Sequence, residues 1–466
     1  MEPFCALSTP AGVSGIAVIR ASGEGVSLKA SKALKILRTT GDRTEAALTD
    51  LKGYESAYAR FIDPSDNRTI DDVVVTFFEG PHSYTGEDMI EISCHGGQAV
   101  RQEILRVLNE LGIRPAEPGE FTKTAFINGK LDLTEAEAVM NVISADSSRA
   151  LEASNSQLMG SLKLKISEAE DMLYKALSSI EMMIEFPEHD DTPENTKTVE
   201  DMIEGVKDLF DSLARSYGRG RLLTERMKVA ILGLPNSGKS TLLNFLAGYS
   251  RAIVTDVPGT TRDMLEYNTE IEGVPVTFVD TAGIRETDDE IEAMGVKLAR
   301  IAASEADLIL YLIAPETSYG DVTSTIEGLE PSKLKVIFTK SDIGDNPSKD
   351  EIVNMLKERG VDGTASISVK ADANTDIIGR FVKDTYEKAG GLNASDITVL
   401  GARHAELLRS ASGKLSEALG IIRDGIGVDV CSQVIRSALD DSGQITGRVV
   451  SDELVETIFS RFCIVK

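Results

Sequence analysis

The rhythm of apolar and polar positions changes several times along this chain, and each change predicts a different kind of element. In residues 1–128, short runs such as Ile16-Ala-Val-Ile19, Asp72-Val-Val-Val-Thr-Phe-Phe78 and Met89-Ile-Glu-Ile-Ser93 read as strands, and Ala99 to Leu111 has helical spacing. That mixture predicts an α+β module with its own core. From Leu131 to Tyr217 only Gly160 and Gly205 interrupt a run rich in Ala, Glu, Leu, Lys, Met and Ser, and Thr134 with Glu137 reads as the capping box that starts it. This stretch is expected to be helical, as is the last one, where Ala405 to Ser412 and Val434 to Leu439 have helical spacing. Between them, aliphatic runs at Met227–Leu232, Val276–Val279, Leu308–Ile313 and Val336–Phe338 read as buried strands. The helical pieces on either side could share one core. The simplest arrangement is therefore multidomain: an α+β N-terminal domain (1–128), an all-α helical domain in two pieces (129–225 and 389–466), and an inserted α/β P-loop, Ras-like domain (226–388). The boundaries fall near Gly218-Arg-Gly220 and Gly390-Gly391.

The chemistry is densest in the inserted segment. Gly233-Leu-Pro-Asn-Ser-Gly-Lys-Ser240 stands between a strand-like run and Thr241–Ala247, a helical run ended by Gly248, the order a phosphate-binding loop requires. Its glycines let backbone N–H groups converge on phosphate oxygens at the helix N-terminus, Lys239 brings a point charge, and Ser240 can offer a hydroxyl to Mg²⁺. Thr255-Asp-Val-Pro-Gly-Thr-Thr-Arg-Asp263 then supplies a polar loop suited to closing over a γ-phosphate, with one of its threonines reaching the metal. Asp280-Thr-Ala-Gly283 follows a short strand, placing Asp280 toward the Mg²⁺ shell and the Gly283 N–H toward the γ-phosphate. In Thr339-Lys-Ser-Asp342, the aspartate can accept from guanine N1 and N2, which selects guanine over adenine, and Ser366-Ile-Ser-Val-Lys370 sits where a base-supporting loop belongs. Together these motifs read as a GTPase. Two positions depart from the common pattern. Ile284 stands where a glutamine usually orients water, so another group must do so, and the acidic run Glu286 to Glu292 offers candidates. Thr339 stands where an asparagine usually braces the base, which predicts selectivity held by Asp342 with weaker nucleotide binding.

Further motifs accompany these: Ile19-Arg-Ala-Ser-Gly23, Ser83-Tyr-Thr-Gly-Glu-Asp88, His95-Gly-Gly97, Pro118-Gly-Glu-Phe121, Asn128-Gly-Lys-Leu-Asp-Leu133 and the terminal Phe462-Cys-Ile-Val-Lys466. With them the whole chain resembles the MnmE (TrmE) family of bacterial tRNA-modification GTPases. The resemblance implies that a potassium ion assists hydrolysis, with Asn236, Thr255, Val257 and Thr260 as its ligands. A fixed cation beside the β–γ bridge would neutralise charge developing in the transition state. It further implies Ser240 and Thr261 as Mg²⁺ ligands and Glu292 as the group that orients water. Lys239, Asn236, Glu292 and Cys463 are the implied catalytic residues. Nucleotide contacts are expected from Gly233, Asn236, Ser237, Gly238, Lys239, Ser240, Thr241, Thr255, Thr260, Thr261, Asp280, Gly283, Lys340, Asp342, Ser368 and Lys370. For the N-terminal module it implies dimerisation and a tetrahydrofolate derivative (5-formyl- or 5,10-methylene-) held by Arg20, Glu91, Lys130 and Lys466. A carboxylate such as Glu91 can accept from the adjacent N–H donors of a pterin edge, but strand charges like Arg20 and Glu91 would by default be surface residues. Val465 replaces the family's penultimate glycine, which bears on the reach of Lys466. The implied activity is C5 modification of the tRNA wobble uridine, U34, with the FAD-dependent partner MnmG (GidA). G-domain dimerisation would accompany GTP hydrolysis and drive conformational change. Two other classes compete: a regulatory GTPase of ribosome assembly, with an N-terminal module indifferent to folate, and a self-assembling GTPase that polymerises on GTP.

Composition limits the partners. Lys plus Arg number 49 against 75 Asp plus Glu, a net charge of −26 that repels phosphate backbones, so tRNA contact is expected mainly through the complex. Arg215, Arg219, Arg221 and Arg226 form a local basic patch in sequence, or else serve as helix-end charges. Cys5, Cys94, Cys431 and Cys463 show no paired metal spacing, and Cys94 and His95, adjacent on a strand, point to opposite faces. No apolar run reaches membrane-spanning length and no signal segment opens the chain, so a cytoplasmic protein with reduced thiols and no membrane partner is expected.

Overall fold

The computed structural model describes residues 2–37, 45–145, 147–185, 193–249, 265–280, 300–388, 397–424, 428–460 and 462. Two compact units emerge, one of residues 1–143, 154–211 and 406–466, the other of 144–153 and 212–405.

In the first unit, β1 (Phe4–Leu7), β2 (Ser14–Ser22), β3 (Leu34–Leu37), β4 (Glu45–Ala46), β5 (Ser56–Ile62), β6 (Thr69–Phe78), β7 (Met89–Gly96) and β8 (Arg114–Pro115) form one sheet in the order β4-β3-β5-β6-β7-β2-β1-β8. The pairs are antiparallel except β1 with β8. Alternation decides its sides. Ala17, Ile19, Ala21, Val73, Val75, Phe77, Ile90, Ile92 and Cys94 join Ile104, Val107 and Leu108 of the helix Gln98–Glu110 in one core, while Arg20, Glu91, Ser93 and Val74 lie on the opposite parity. Cys94 is accordingly buried and the next residue, His95, exposed.

Helices Leu133–Ser144, Ser161–Glu185, Val428–Thr446 and Asp452–Phe459 belong largely to this unit. The expected capping box at Thr134 and Glu137 is displaced by two residues. Asp132 Oδ1 accepts from the Glu135 N–H and Glu135 Oε2 accepts from the Asp132 N–H, each at 2.8 Å, while Thr134 is buried and donates its hydroxyl to Asp132. Aspartate ranks above threonine as an N-cap, so the start moves to the aspartate.

In the second unit, β9 (Met227–Gly233), β10 (Leu265–Ile271), β11 (Val274–Asp280), β12 (Leu308–Ile313), β13 (Leu334–Phe338) and β14 (Thr364–Ser366) form a sheet ordered β10-β11-β9-β12-β13-β14, with β10 antiparallel and the rest parallel. Both faces are covered. Val229 and Ile231 enter one core and Ala230 and Leu232 another, which is why these strands read as unbroken aliphatic runs. Chain order reverses at β9, whose neighbours are β11 and β12, and in such sheets the crevice at the strand's carboxyl end is where ligands bind.

The helix Pro193–Thr224 runs through Gly218 and Gly220, which sequence alone reads as a break. Gly220 serves close packing instead: a Cβ there would stand 2.0 Å from the Val399 carbonyl oxygen. In the same region Arg221 pairs with Asp307 and Glu225, and Arg226 donates to the Thr269 carbonyl, so these two arginines hold structure and do not form an open basic patch.

Candidate functional site

The glycine loop leaves β9 at Gly233 (φ 147°), where a Cβ would lie 2.6 Å from the Leu312 carbonyl oxygen of β12. Gly238 (φ 96°) and Asn236 (φ 62°) adopt left-handed backbone, cheap for glycine and accessible to asparagine. The helix Lys239–Tyr249 begins at once, so its first N–H groups face the loop, and Ser240 and Thr241 are exposed on its first turn. Lys239 Nζ donates to the carbonyls of Gly233 (2.6 Å) and Leu234 (2.9 Å), which holds an ammonium at the loop. Asp280 ends β11 in register with Ile231 of β9, so its backbone is one strand away from the loop.

The elements expected to read the base converge beyond β13. Asp342 Oδ1 accepts from the Ser368 hydroxyl at 2.6 Å, and Ser368 Oγ accepts from the Ala371 N–H at 3.1 Å. The Ser368 bond, helped by a backbone N–H and by Lys370, holds the Asp342 carboxyl below its ordinary range, so it stays an acceptor. Lys340 (φ 56°) pairs with Glu316 at 2.7 Å, a partner that carries no motif. Thr339 is nearly buried, and its hydroxyl lies 2.7 Å from the Ser237 carbonyl and 3.2 Å from that of Ile313.

A second cluster lies in the N-terminal sheet. Arg20 and Glu91 face each other across β2 and β7, and Arg20 Nε (2.9 Å) and Nη2 (2.6 Å) both donate to Glu91 Oε1. Far from being isolated surface charges, both are largely covered. The guanidinium stands 5.5 Å from the Tyr84 ring centroid and 5.7 Å from that of Phe121, and Phe4 packs edge-on against Phe121 at 4.8 Å. Burial pushes the Tyr84 phenol up, with Thr122 and Arg20 opposing. Lys130 donates to the Pro81 carbonyl at 3.0 Å, and its stem lies beside Gly86, so it shares the loop that carries Tyr84. Tyr84 and Phe121 were legible only as parts of sequence motifs; their contact with Arg20 comes from the fold. The expected site residues Thr255, Val257, Thr260, Thr261, Gly283, Glu292, Cys463 and Lys466 lie outside the described residues.

A mostly parallel sheet with a glycine loop at its reversal point, together with the hydrogen-bonded Asp342 and Ser368 beyond β13, defines the P-loop GTPase class. Comparison with known proteins refines this. The family model described as "GTP-binding protein TrmE N-terminus" matches residues 3–130 and "MnmE helical domain" matches 133–463. The chain is 37% identical to "tRNA modification GTPase MnmE" of Natranaerobius thermophilus over 466 residues, covering all of this chain and 99% of that one. It is also 37% identical to the protein of that name from Streptococcus agalactiae serotype III over 468 residues, covering 100% and 98%. A solved GTP-binding protein of Sulfolobus solfataricus with GDP aligns at TM-score 0.28 and 16% identity over 47% of this chain and 67% of that one, a likeness too slight to carry an argument. The chain belongs to the MnmE family of tRNA modification GTPases. Among the described residues no helix is long and apolar enough to cross a membrane.

Proposed function

We propose that this chain is the GTP-hydrolysing component of an enzyme that modifies C5 of the tRNA wobble uridine, U34. It works in the cytoplasm with the FAD-dependent partner MnmG and a tetrahydrofolate one-carbon unit to install a (carboxymethyl)aminomethyl group. The observation that carries the folate part of this reading is the Arg20–Glu91 pair on its aromatic bed. Both arginine bonds fall on Glu91 Oε1, which leaves Oε2 to accept from a pterin N–H edge, and Tyr84 and Phe121 offer ring faces beside it. Lys130 on the neighbouring loop, and Lys466, would meet carboxylate or formyl oxygens. The folate supplies the one-carbon unit when bound; the residues named here orient it.

In the GTPase segment, proposed as residues 226–388 inserted into a helical domain of 129–225 and 389–466, Lys239 and the loop N–H groups hold the phosphates. Ser240 and Thr261 would hold Mg²⁺, whose exposed donor at Ser240 suits a hydrated ion. Asn236, exposed at the loop's crest, would hold K⁺ with Thr255, Val257 and Thr260, the cation offsetting charge on the β–γ bridge. Glu292 orients the attacking water. The 1–128 module makes the homodimer, and G domains pair on hydrolysis.

Thermal unfolding with and without 5-formyl-tetrahydrofolate tests this. A ligand at ~100 times its dissociation constant adds about 2.7 kcal/mol to the form that binds it, several degrees for one domain. The shift is expected in the wild type and absent in Arg20→Ala. No shift at saturating folate would favour the regulatory GTPase of ribosome assembly.

A further inference from the structure

Arg101 stands on the first turn of the helix Gln98–Glu110, one turn before Ile104 and Leu105 and on the face that packs against the N-terminal sheet. Only 9% of it is exposed, yet its Nη1 has no hydrogen-bond partner, and no carboxylate pairs with it among the described residues. The carboxylates of this region are taken. Asp71 accepts from the His95 N–H at 2.8 Å and lies 2.7 Å from its Nδ1, while Glu103 is held by Arg68 and Arg106. A guanidinium removed from water without a counter-charge is costly, so this position calls for an anion.

A cavity of about 360 Å³ lies alongside, lined by Cys5, Leu7, Leu105 and Pro115, with Thr9 and Ala11 past the carboxyl end of β1. Strand directions put Arg101 at the Thr9 end. β1 and β7 are both antiparallel to β2, hence parallel to each other, and the helix returns from the carboxyl end of β7 to β8, which pairs beside the start of β1. Its first turn therefore stands over the carboxyl ends of β1 and β7. Across those ends Cys94 pairs with Ala17, and Thr9 Oγ1 accepts from the Val18 N–H at 3.3 Å, so Cys94, Ala17 and Thr9 succeed one another beneath the arginine. Its charge opposes the upward push of burial on the Cys94 thiol. The Thr9 hydroxyl hydrogen finds no acceptor among the described residues. Cys5 pairs with Ala21 and Ala6 with Arg20, so the cavity, on the Cys5 side, lies across the sheet from the Arg20–Glu91 pair. We propose that Arg101 and this cavity form a binding site for a small organic acid: the guanidinium and the Thr9 hydroxyl hold one carboxylate, and the cavity takes its aliphatic or aromatic body. One cation and apolar walls suit a monoanion better than a phosphate, whose second charge and hydration would go unmet. The site is independent of both the nucleotide and the folate readings.

Octanoate and octan-1-ol, which share a tail and differ in the carboxylate, are the probes. Calorimetric titration of the full chain is expected to show saturable binding of one octanoate, with octan-1-ol at least about ten-fold weaker, the loss of charge-assisted hydrogen bonds. Arg101→Leu should weaken octanoate by a similar factor and leave octan-1-ol unchanged, because only the carboxylate meets the arginine. If Arg101→Leu does not fold, Arg101→Gln is read by the same criteria, and the comparison of the two probes on the wild type needs no variant. No saturable octanoate binding, equal affinity for the two probes, or wild-type octanoate affinity in Arg101→Leu would each overturn the proposal. So would displacement of octanoate by 5-formyl-tetrahydrofolate, which would put it at the Arg20–Glu91 pair instead. Loss of self-association in Arg101→Leu, read by sedimentation velocity, would show that a carboxylate of a second copy fills the site, and would overturn the proposal as well.

Discussion

If Asp342 reads the base as proposed, much of the site's selectivity rests on one group. Its carboxylate is kept ionised by the Ser368 hydroxyl, and an ionised carboxylate offers acceptors only, the complement of guanine N1–H and N2–H. Replacing it by asparagine puts a donor against a donor. Asp342→Asn is expected to weaken GDP binding at least about 100-fold, since bonds to charged groups contribute about 1.5–3 kcal/mol each, with the melting temperature of the nucleotide-free chain unchanged. Retention of affinity within a few fold in a titration would remove Asp342 from base recognition. Three buried cysteines behave differently: desolvation pushes the Cys5 thiol up to about 12 and those of Cys94 and Cys431 up to about 11, which disfavours the reactive thiolate.

At the scale of elements, close packing and buried charge set the tolerances. Gly220 sits inside a helix where alanine would gain about 1 kcal/mol of intrinsic propensity, yet its Cβ would stand 2.0 Å from the Val399 carbonyl oxygen. Overpacking should win, and Gly220→Ala is expected to destabilise the chain by about 2–3 kcal/mol in urea unfolding; an unchanged or raised midpoint would contradict the packing. Between the helices Ser161–Glu185 and Val428–Thr446, Glu170 is buried and accepts from Ser442 at 2.8 Å, with Arg448 at 3.1 Å. Desolvation raises its carboxyl above the ordinary range against the opposing pull of Ser442 and Arg448. The folded state therefore binds the proton more tightly than the unfolded one, and the associated stability is present at low pH and lost as pH rises through the folded value. Glu170→Gln keeps an acceptor for Ser442 without the charge, so the fall in melting temperature across that pH window should flatten in the variant. An identical pH profile would show that Glu170 does not titrate there.

For the molecule as a whole, the excess of 75 acidic over 49 basic residues governs encounters with nucleic acid. Two of the four clustered arginines that might have offset it are committed to Asp307, Glu225 and the Thr269 carbonyl. The chain alone is expected to bind tRNA more weakly than about 10 µM at physiological salt, with a shallow salt dependence because few phosphates are neutralised. Fluorescence anisotropy at several salt concentrations measures both; nanomolar binding with a steep slope would reveal a basic surface elsewhere on the chain.

The strands of the nucleotide-binding sheet, the glycine loop and Asp342 were readable in the sequence because each is local: a run buried on both faces is aliphatic throughout, and a loop that cradles phosphate needs its glycines at set spacing. The helix start at Asp132 and the continuity of the helix through Gly218 and Gly220 were not, since a neighbouring carboxylate and a distant carbonyl decided them. Sequence alone also gave no physical reason to set Arg20 apart from an ordinary strand-end charge. Only pairing of β2 with β7 brings Glu91 opposite it, and only the packing of Phe4, Tyr84 and Phe121 gives the pair its aromatic surroundings. Thr339 shows the same division. Its departure from asparagine is visible in the sequence, but its hydroxyl finds the Ser237 carbonyl, 102 positions away, because parallel strands bring their carboxyl ends to one edge of the sheet. Local patterning determined which elements form and which chemistry they carry; tertiary structure decided which partners those side chains meet, because hydrogen bonds and ring contacts act over a few ångströms of space whatever the separation along the chain.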